Sequence, residues 1–460
     1  MVQDLRGSEG PLLVVSNRLP FVFQRGDTGL TRRPSPGGLV TALDPVLRKR
    51  GGTWLGWPGG DIGIEDALEL RGDQYRVAPV ILSESEITRY YHGFSNRTLW
   101  PLFHSLPART GFDERDWEAY QRVNLRFANA ALEELDAANW VWIHDYQLML
   151  VPEFVRREMS GGRLGFFLHV PFPCYDIYRA LPWQSELLRG LLACDLVGFQ
   201  VESYMRNFME CAERILGARV DREYGVIEYA GHRTRVGSFP IGIDREYFET
   251  RAEASPPARS PRRERILFGA DRLDYTKGIP ERIRAVERLL DLHPEYREKV
   301  VLLQIAVPSR SQVAEYRALK REIDELVGRV NGRFATPSWS PIRYIYQSLS
   351  HDRLARFYRD ADVALVTPLR DGMNLVAKEF VACQVGDPGV LVLSTLAGAA
   401  ESMEEALLVN PHDVQGTADA IHRALCMPRD ERAERMNSLR ARERSNDVHA
   451  WVNGFLARLG

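Results

Sequence analysis

Short, unbroken apolar runs recur along this chain, each ending in a polar or glycine-containing loop and each followed by an amphipathic stretch. In the first half they are Leu12–Ser16, Trp140–His144, Leu164–Val170 and Leu196–Phe199. In the second half they are Ile266–Ala270, Val300–Ala306, Ile342–Tyr346, Val363–Thr367 and Val390–Ser394. A strand with one wet face alternates polar and apolar residues, whereas a continuous apolar run suits a strand covered on both faces, as in a parallel sheet. Ile279–Leu292 and Leu375–Cys383 carry helical spacing instead. This alternation predicts the α/β class, with doubly wound sheets.

At 460 residues the chain exceeds one comfortable hydrophobic core, so two domains are expected. Between the two sets of runs, Thr250–Glu264 reads TRAEASPPARSPRRE and has no apolar period, as a linker would. The expected division is 1–249, a linker over 250–264, and 265–446, with a helix in 447–460 returning to the first domain. Two such domains face a central cleft, and open α/β sheets bind ligands beyond the carboxyl ends of their strands.

Charge and motif content exclude several functions. A formal net charge of -2 supplies no global field for nucleic acid or an anionic membrane, so any bound anion must be met by local clusters. No run approaches the roughly 20 apolar residues of a membrane span, and Met1–Gly10 lacks a secretory segment. A cytoplasmic protein without membrane or nucleic-acid partners is expected. Cys174, Cys194, Cys211, Cys383 and Cys426 are dispersed without CxxC spacing, which predicts buried free thiols rather than disulfides or zinc ligands. GxxxxGK[ST], HExxH and GxSxG are absent. Among 60 basic residues the lysines are Lys49, Lys277, Lys299, Lys320 and Lys378, and Lys277 and Lys378 fall in motif-dense segments.

The strand ends carry the chemistry. Ile266–Ala270 runs into Asp271-Arg272-Leu273-Asp274-Tyr275-Thr276-Lys277-Gly278, with Pro280 suited to a first helical turn. Arg272, Lys277 and the N–H groups of that helix start can converge on a diphosphate and stabilise charge on a nucleoside diphosphate leaving group. The competing reading is a solvated loop with Arg272 paired to Asp271 or Asp274. After Val363–Thr367 comes a loop in which Gly372 lets backbone amides approach a ligand, while Asp371 and Glu379 offer acceptors to sugar or ribose hydroxyls. The competing reading is an N-capping Asp371 and a surface Glu379 paired to Lys378.

In the first half, Leu12–Ser16 leads into Asn17-Arg18, and Gly37-Gly38 either opens a helix start to phosphate or is only a turn. Asp145 follows one strand and His169 ends the next, as a ligand contact or as a satisfied core histidine. Tyr91 and Trp100 form a sugar-facing wall or core packing. Arg310, after Val300–Ala306, is a guanidinium at the expected cleft.

In this order the segments resemble the trehalose-6-phosphate synthases of glycosyltransferase family 20. The matching stretches are SNRLP (Ser16–Pro20), GGLV (Gly37–Val40), WLGWPG (Trp54–Gly59), YYHGFSNRTLWPLFH (Tyr90–His104) and WIHDYQLMLVP (Trp142–Pro152). They continue with GFFLHVPFP (Gly165–Pro173), FPIGID (Phe239–Asp244), DRLDYTKGIPER (Asp271–Arg282), VTPLRDGMNLVAKE (Val366–Glu379) and GVLVLSTLAGAAESM (Gly389–Met403).

The resemblance implies GT-B architecture, two Rossmann-like domains around a cleft, and glucose transfer with retention and without a catalytic metal or other cofactor. It implies a nucleotide-glucose donor, UDP-glucose foremost, and glucose 6-phosphate as acceptor. The nucleobase stays open, because the segment around Leu349 matches loosely, and so do the contacts of the loop between Leu19 and Pro34. By motif, Arg272 and Lys277 hold the donor diphosphate. Asp371 and the backbone of Met373, Asn374, Leu375 and Val376 hold donor glucose and phosphate, with Glu379 on the ribose. Gly37 and Gly38 cover the donor phosphates, and His169 meets the donor glucose. Arg18 and Arg310 take the acceptor phosphate; Tyr91, Trp100 and Asp145 line the acceptor sugar. Arg272, Lys277, His169 and Asp371 form the expected catalytic set.

Relatives using glycerol 3-phosphate, a cyclitol-coupling branch, and a non-catalytic sugar-phosphate sensor are the rivals. The YYHGFSNRTLW segment and the intact TKG and RDGMN loops weigh against them. A homo-oligomer stays open, and a separate trehalose-6-phosphate phosphatase would be needed to remove the phosphate.

Overall fold

The computed structural model describes residues 11–26, 29–34, 38–59, 74–135, 140–254, 264–310 and 313–460. The chain forms two compact units: Met1–Pro240 with Trp451–Gly460, and Ile241–Ala450.

The first unit contains β1 (Leu12–Arg18), a hairpin of β2 (Phe21–Gly26) and β3 (Gly29–Pro34), β4 (Thr53–Trp57), β5 (Arg76–Pro79), β6 (Trp140–His144), β7 (Arg163–Phe167), β8 (Leu196–Phe199), β9 (Arg219–Asp221), β10 (Val226–Tyr229) and β11 (His232–Ser238). Apart from the hairpin they make one sheet in the order β5-β4-β1-β6-β7-β8-β11-β10-β9. It is parallel as far as β11, then antiparallel through β10 and β9.

The second unit has β12 (Arg265–Arg272), β13 (Val300–Val307), β14 (Ile342–Ile345), β15 (Val363–Val366), β16 (Val390–Ser394) and β17 (Leu407–Val409). All are parallel, in the order β14-β13-β12-β15-β16-β17. That is the doubly wound order whose direction reverses between its first and fourth strands, here β12 and β15. In the first sheet the reversal lies between β1 and β6. Ligands of such sheets sit just beyond these switch points.

The apolar runs are the buried strands. β13 and β16 are buried almost end to end, as helices cover both faces. The helix Ile279–Leu292 forms as its spacing requires, burying Ile279, Ile283, Val286, Leu289 and Leu290 on one stripe. Each such side chain contributes about 1.5–3 kcal/mol of transfer free energy.

Several boundaries differ from the sequence pattern. β7 stops at Phe167, so Leu168–Val170 lie beyond the strand, and β12 runs on to Arg272. The stretch Leu19–Pro34 contains a hairpin. Thr250–Ala254 closes a helix, Arg245–Ala254, that buries Phe248 and Ala252. Its two-residue apolar stripe is too sparse to stand out among Arg and Glu, and the rest of the expected linker, 255–263, lies outside the described residues. The chain passes between units near Pro240 and again before Trp451.

The last helix, Val448–Leu459, lays Phe455 against Trp142, the rings stacked nearly parallel with centroids 4.5 Å apart. Gly165 on β7 and Gly198 on β8 make room for it, since an added Cβ would come within 2.9 Å and 2.8 Å of the Phe455 ring. All five cysteines are free, but Cys174 and Cys426 are exposed, so the expectation of buried thiols holds only for Cys194, Cys211 and Cys383.

Candidate functional site

In the second unit the loop after β12 is set by local hydrogen bonds. Asp274 caps the single turn Tyr275–Lys277, its Oδ1 accepting from Thr276 N at 3.0 Å and Thr276 Oγ1 at 2.9 Å. Gly278 ends the turn with φ 65°, and a Cβ there would meet the Thr367 carbonyl at 2.3 Å. Glycine is therefore required by conformation and by space. The close approach docks this loop on the end of β15, where Leu369 N donates to Thr276 O at 2.7 Å.

Across that junction Lys277 Nζ donates to Asp371 Oδ2 at 2.5 Å. Asp371 also accepts from Gly372 N at 2.9 Å and Asn374 Nδ2 at 3.0 Å. It is therefore not the cap of the next helix, whose N-cap position is Asn374 at φ 80°. Asn374 Oδ1 is buried without a hydrogen-bond partner among the described residues. The first N–H groups at Leu375 and Val376 suit an anionic group, and the uncommitted Asn374 oxygen suits a ligand hydroxyl beside it. Met373 is buried behind the turn. The turn itself is held by the segment after β16: Asp371 N donates to Leu396 O, Gly398 N to Asp371 O and Ala399 N to Met373 O. A Cβ at Gly398 would stand 2.0 Å from the Gly372 carbonyl, so this glycine shapes the site from outside it.

Glu379, one turn further, accepts from Tyr358 Oη at 2.8 Å, and burial raises its carboxyl to about 6. Lys378 does not pair with it. Its ammonium reaches Glu443 Oε1 at 3.3 Å, with both side chains buried, tying this helix to Arg429–Ser445. Arg272 is exposed. Asp271 bonds Arg282 at 2.6 Å instead, and Arg282, wholly buried, also reaches Gln304 (2.9 Å), Thr367 (3.1 Å) and the Lys277 carbonyl (3.4 Å). Asp274 Oδ2 receives Arg310 Nη1 at 3.1 Å and Tyr316 Oη at 2.9 Å. Though buried, Asp274 is held down at about 2, mainly by the charges of Arg310 and Arg272 against the cost of desolvation. Leu349 is half-buried in the loop before the helix His351–Asp360.

In the first unit Arg18 ends β1 with its guanidinium 3.9 Å over the Trp57 ring and 5.5 Å from that of Tyr91. Gly59, at φ 72°, leaves the passage this side chain occupies, since a Cβ would lie 2.3 Å from Arg18 Nη1. Asp145, φ 75°, follows β6 and accepts from His169 N at 3.1 Å. His169 Nε2 lies 3.1 Å from His144 Nδ1, and its Nδ1 lies 3.4 Å from Gln200 Nε2. Desolvation pulls His169 down to about 3 and lowers His144 as well, so both rings are neutral at ordinary pH. His169 thus satisfies its ring within the protein while lying at a strand end. Trp100 packs on His104 and Tyr146. Gly38 begins the helix Gly38–Arg50, and Gly37 lies outside the described residues.

The expected residues therefore gather in two sets, one in each unit. Among the described residues six non-glycines have positive φ, and three of them, Asp145, Arg310 and Asn374, are sequence-predicted site residues. The residues missed are those behind them: Asp274, Arg282, Trp57, Gln200 and Gly398. All but Gln200 sit inside the motif stretches, which was the available signal.

Residues 10–460 match the family model for glycosyltransferase family 20. The chain belongs to this family. It is 42% identical over 463 residues to a trehalose-6-phosphate synthase of Mycolicibacterium smegmatis, covering 97% of this chain and 92% of that protein. It is 41% identical to the UDP-forming α,α-trehalose-phosphate synthase A of Dictyostelium discoideum, over 100% of this chain but 63% of that longer protein. Among solved structures, the Burkholderia xenovorans UDP-forming synthase in complex with glucose-6-phosphate superposes with a TM-score of 0.90 at 37% identity, covering 98% of this chain and 100% of that one. An Escherichia coli family structure bound with UDP-2-fluoro glucose gives a TM-score of 0.90 at 36% identity, covering 98% and 99%. This family 20 chain is thus a glycosyltransferase, and its two parallel-sheet units are those of the GT-B class. No helix among the described residues is long and apolar enough to cross a membrane.

Proposed function

We propose that this chain makes α,α-trehalose 6-phosphate, transferring glucose from UDP-glucose to glucose 6-phosphate with retention of configuration and without a metal ion. The observation that carries this reading is the Lys277–Asp371–Asn374 cluster at the start of Leu375–Cys383, with Arg272 exposed on the Lys277 loop. Solved relatives with glucose-6-phosphate and with UDP-2-fluoro glucose support the substrate pair.

In this mechanism Arg272 and Lys277 neutralise the departing diphosphate, aided by the N–H groups at Leu375 and Val376. Asp371 holds Lys277 in place and takes a glucose hydroxyl, as Glu379 takes the ribose hydroxyls. Gly38 covers the donor phosphates, His169 meets the donor glucose as a neutral ring, and Leu349 lies by the base. Arg18 and Arg310 take the acceptor phosphate, and Tyr91, Trp100 and Asp145 its sugar. The acceptor hydroxyl attacks from the face the diphosphate leaves, through an oxocarbenium-like state, and its proton passes to the diphosphate. The C1–O bond to the diphosphate breaks as the new glycosidic bond forms.

The experiment incubates the pure chain with UDP-, ADP- and GDP-glucose against glucose 6-phosphate and glycerol 3-phosphate, with and without chelator, and identifies the products. Trehalose 6-phosphate from UDP-glucose, unaffected by chelator, is expected. A product only from glycerol 3-phosphate, or none at all, overturns the reading.

A further inference from the structure

Ile87–Leu99 is wound as a π-helix. Tyr91 and Trp100, nine residues apart, depend on that winding. In an α-helix, at about 3.6 residues per turn, nine steps leave two side chains roughly half a turn apart. The wider i→i+5 helix takes about 4.4 residues per turn, so nine steps return nearly to the starting face. The contacts follow the wide period. Trp100 N donates to the Ser95 carbonyl, five residues back. Asn96 Nδ2 donates to the Tyr91 carbonyl, also five back, at 2.7 Å. Asn96 Oδ1 accepts from Tyr146 Oη at 2.9 Å, and the Tyr146 ring lies 5.7 Å from that of Trp100.

Such winding is rare beyond a single turn, so a run of this length needs an external hold. The hold is at Gly93, where a Cβ would lie 2.3 Å from Asp116 Oδ2. Asp116 cannot give way easily. Its side chain is 3% exposed, with Arg89 Nη1 at 3.0 Å from one oxygen and Arg97 Nη2 at 2.6 Å from the other. These arginines lie four residues before and four after Gly93. Two guanidiniums eight residues apart, one from each half of the wound segment, converge on one carboxylate and tie that segment to Asp116. Asp116 stands on the helix Glu114–Glu133, whose Tyr120 ring packs on Tyr90 and Phe94.

We propose that Gly93 and Asp116 are positioning residues for acceptor recognition: their contact fixes the wide helix that turns Tyr91 and Trp100 to one face. The proposal rests on the reading of those two aromatics as the acceptor wall. Gly93→Ala and Asp116→Asn, the second nearly isosteric, are compared with the parent for glucose 6-phosphate KM, kcat, UDP affinity by calorimetry and near-UV circular dichroism. Both variants are expected to raise the acceptor KM about tenfold while UDP affinity stays unchanged. An unchanged acceptor KM in a folded variant overturns the proposal, as does UDP affinity falling in step with it, which marks general loosening. Should Gly93→Ala fail to fold, Asp116→Asn decides. If the parent does not use glucose 6-phosphate, the acceptor reading fails by itself. The winding is then decided by circular dichroism: an altered aromatic spectrum in Asp116→Asn supports the hold, and an unaltered one overturns it.

Discussion

The cation-bearing loops of the second unit and the aromatic wall of the first use different construction. Lys277, Asp274 and Gly278 lie within five consecutive residues, and their partners Asp371 and Thr367 lie at the end of the strand paired with β12. Buried charge holds them: Arg282 beneath the Lys277 loop, and Asp274 between Arg272 and Arg310. The wall gathers Arg18, Trp57, the pair Tyr91 and Trp100, and Tyr146 from four segments, held by ring packing, neutral hydrogen bonds and one clamped carboxylate. A low-dielectric ion network is strong while complete and costly when broken, whereas aromatic packing degrades by steps. The first region should therefore fail abruptly and the second gradually.

Arg282→Met tests the abrupt side hardest. It leaves Asp271 buried opposite a lost charge, and a loss of roughly 3–5 kcal/mol is expected in denaturant unfolding. A loss below 1 kcal/mol would erase the contrast. Lys277→Ala should retain the fold and lower kcat about 10²–10³-fold in a glucose-transfer assay; near-normal turnover would remove Lys277 from the mechanism. Tyr91→Ala should act on the gradual side, raising acceptor KM about tenfold with little change in nucleotide affinity. A comparable loss of nucleotide affinity would show that the two regions are not separable.

The smallest effect is one of pH. Burial raises Glu379 to about 6, above the usual glutamate range. Its contribution to stability is therefore fully present below the unfolded value and is lost as pH rises through about 6. Ribose hydroxyls favour the ionised carboxylate, so UDP affinity should rise a few-fold as pH passes upward through about 6. Glu379→Gln should flatten that profile in calorimetric titrations, and an unchanged profile would assign the titration to another group.

The same contrast separates what could be read from the chain and what could not. β12, β13, β15 and β16 follow from apolar runs, because a strand buried on both faces has no polar positions to confuse the pattern. The Lys277 and Asp371 loops stand out in the sequence because glycine and charge follow directly on apolar runs, and the structure places both loops beyond the ends of paired strands. The π-helix was not, since its apolar spacing lies close to the α-helical period and its hold, Asp116, is 23 residues beyond Gly93. Nor was the helix Arg245–Ala254, where Pro and Arg nearby outweighed two apolar residues. His169 shows the limit from the other side: its place was foreseen to within two residues of the end of β7, its bonds to His144 and Gln200 were not.

By itself the sequence determined the class of fold, the family and the loops that carry cations, because each depends on residues adjacent in the chain. Only the tertiary structure decided how those cations are neutralised, which way Tyr91 and Trp100 face, and how the last helix, expected to return to the first domain, seats Phe455 on Trp142. Those outcomes depend on groups distant in the chain meeting at van der Waals distance, where one carboxylate or one missing Cβ selects between windings that local propensity hardly distinguishes.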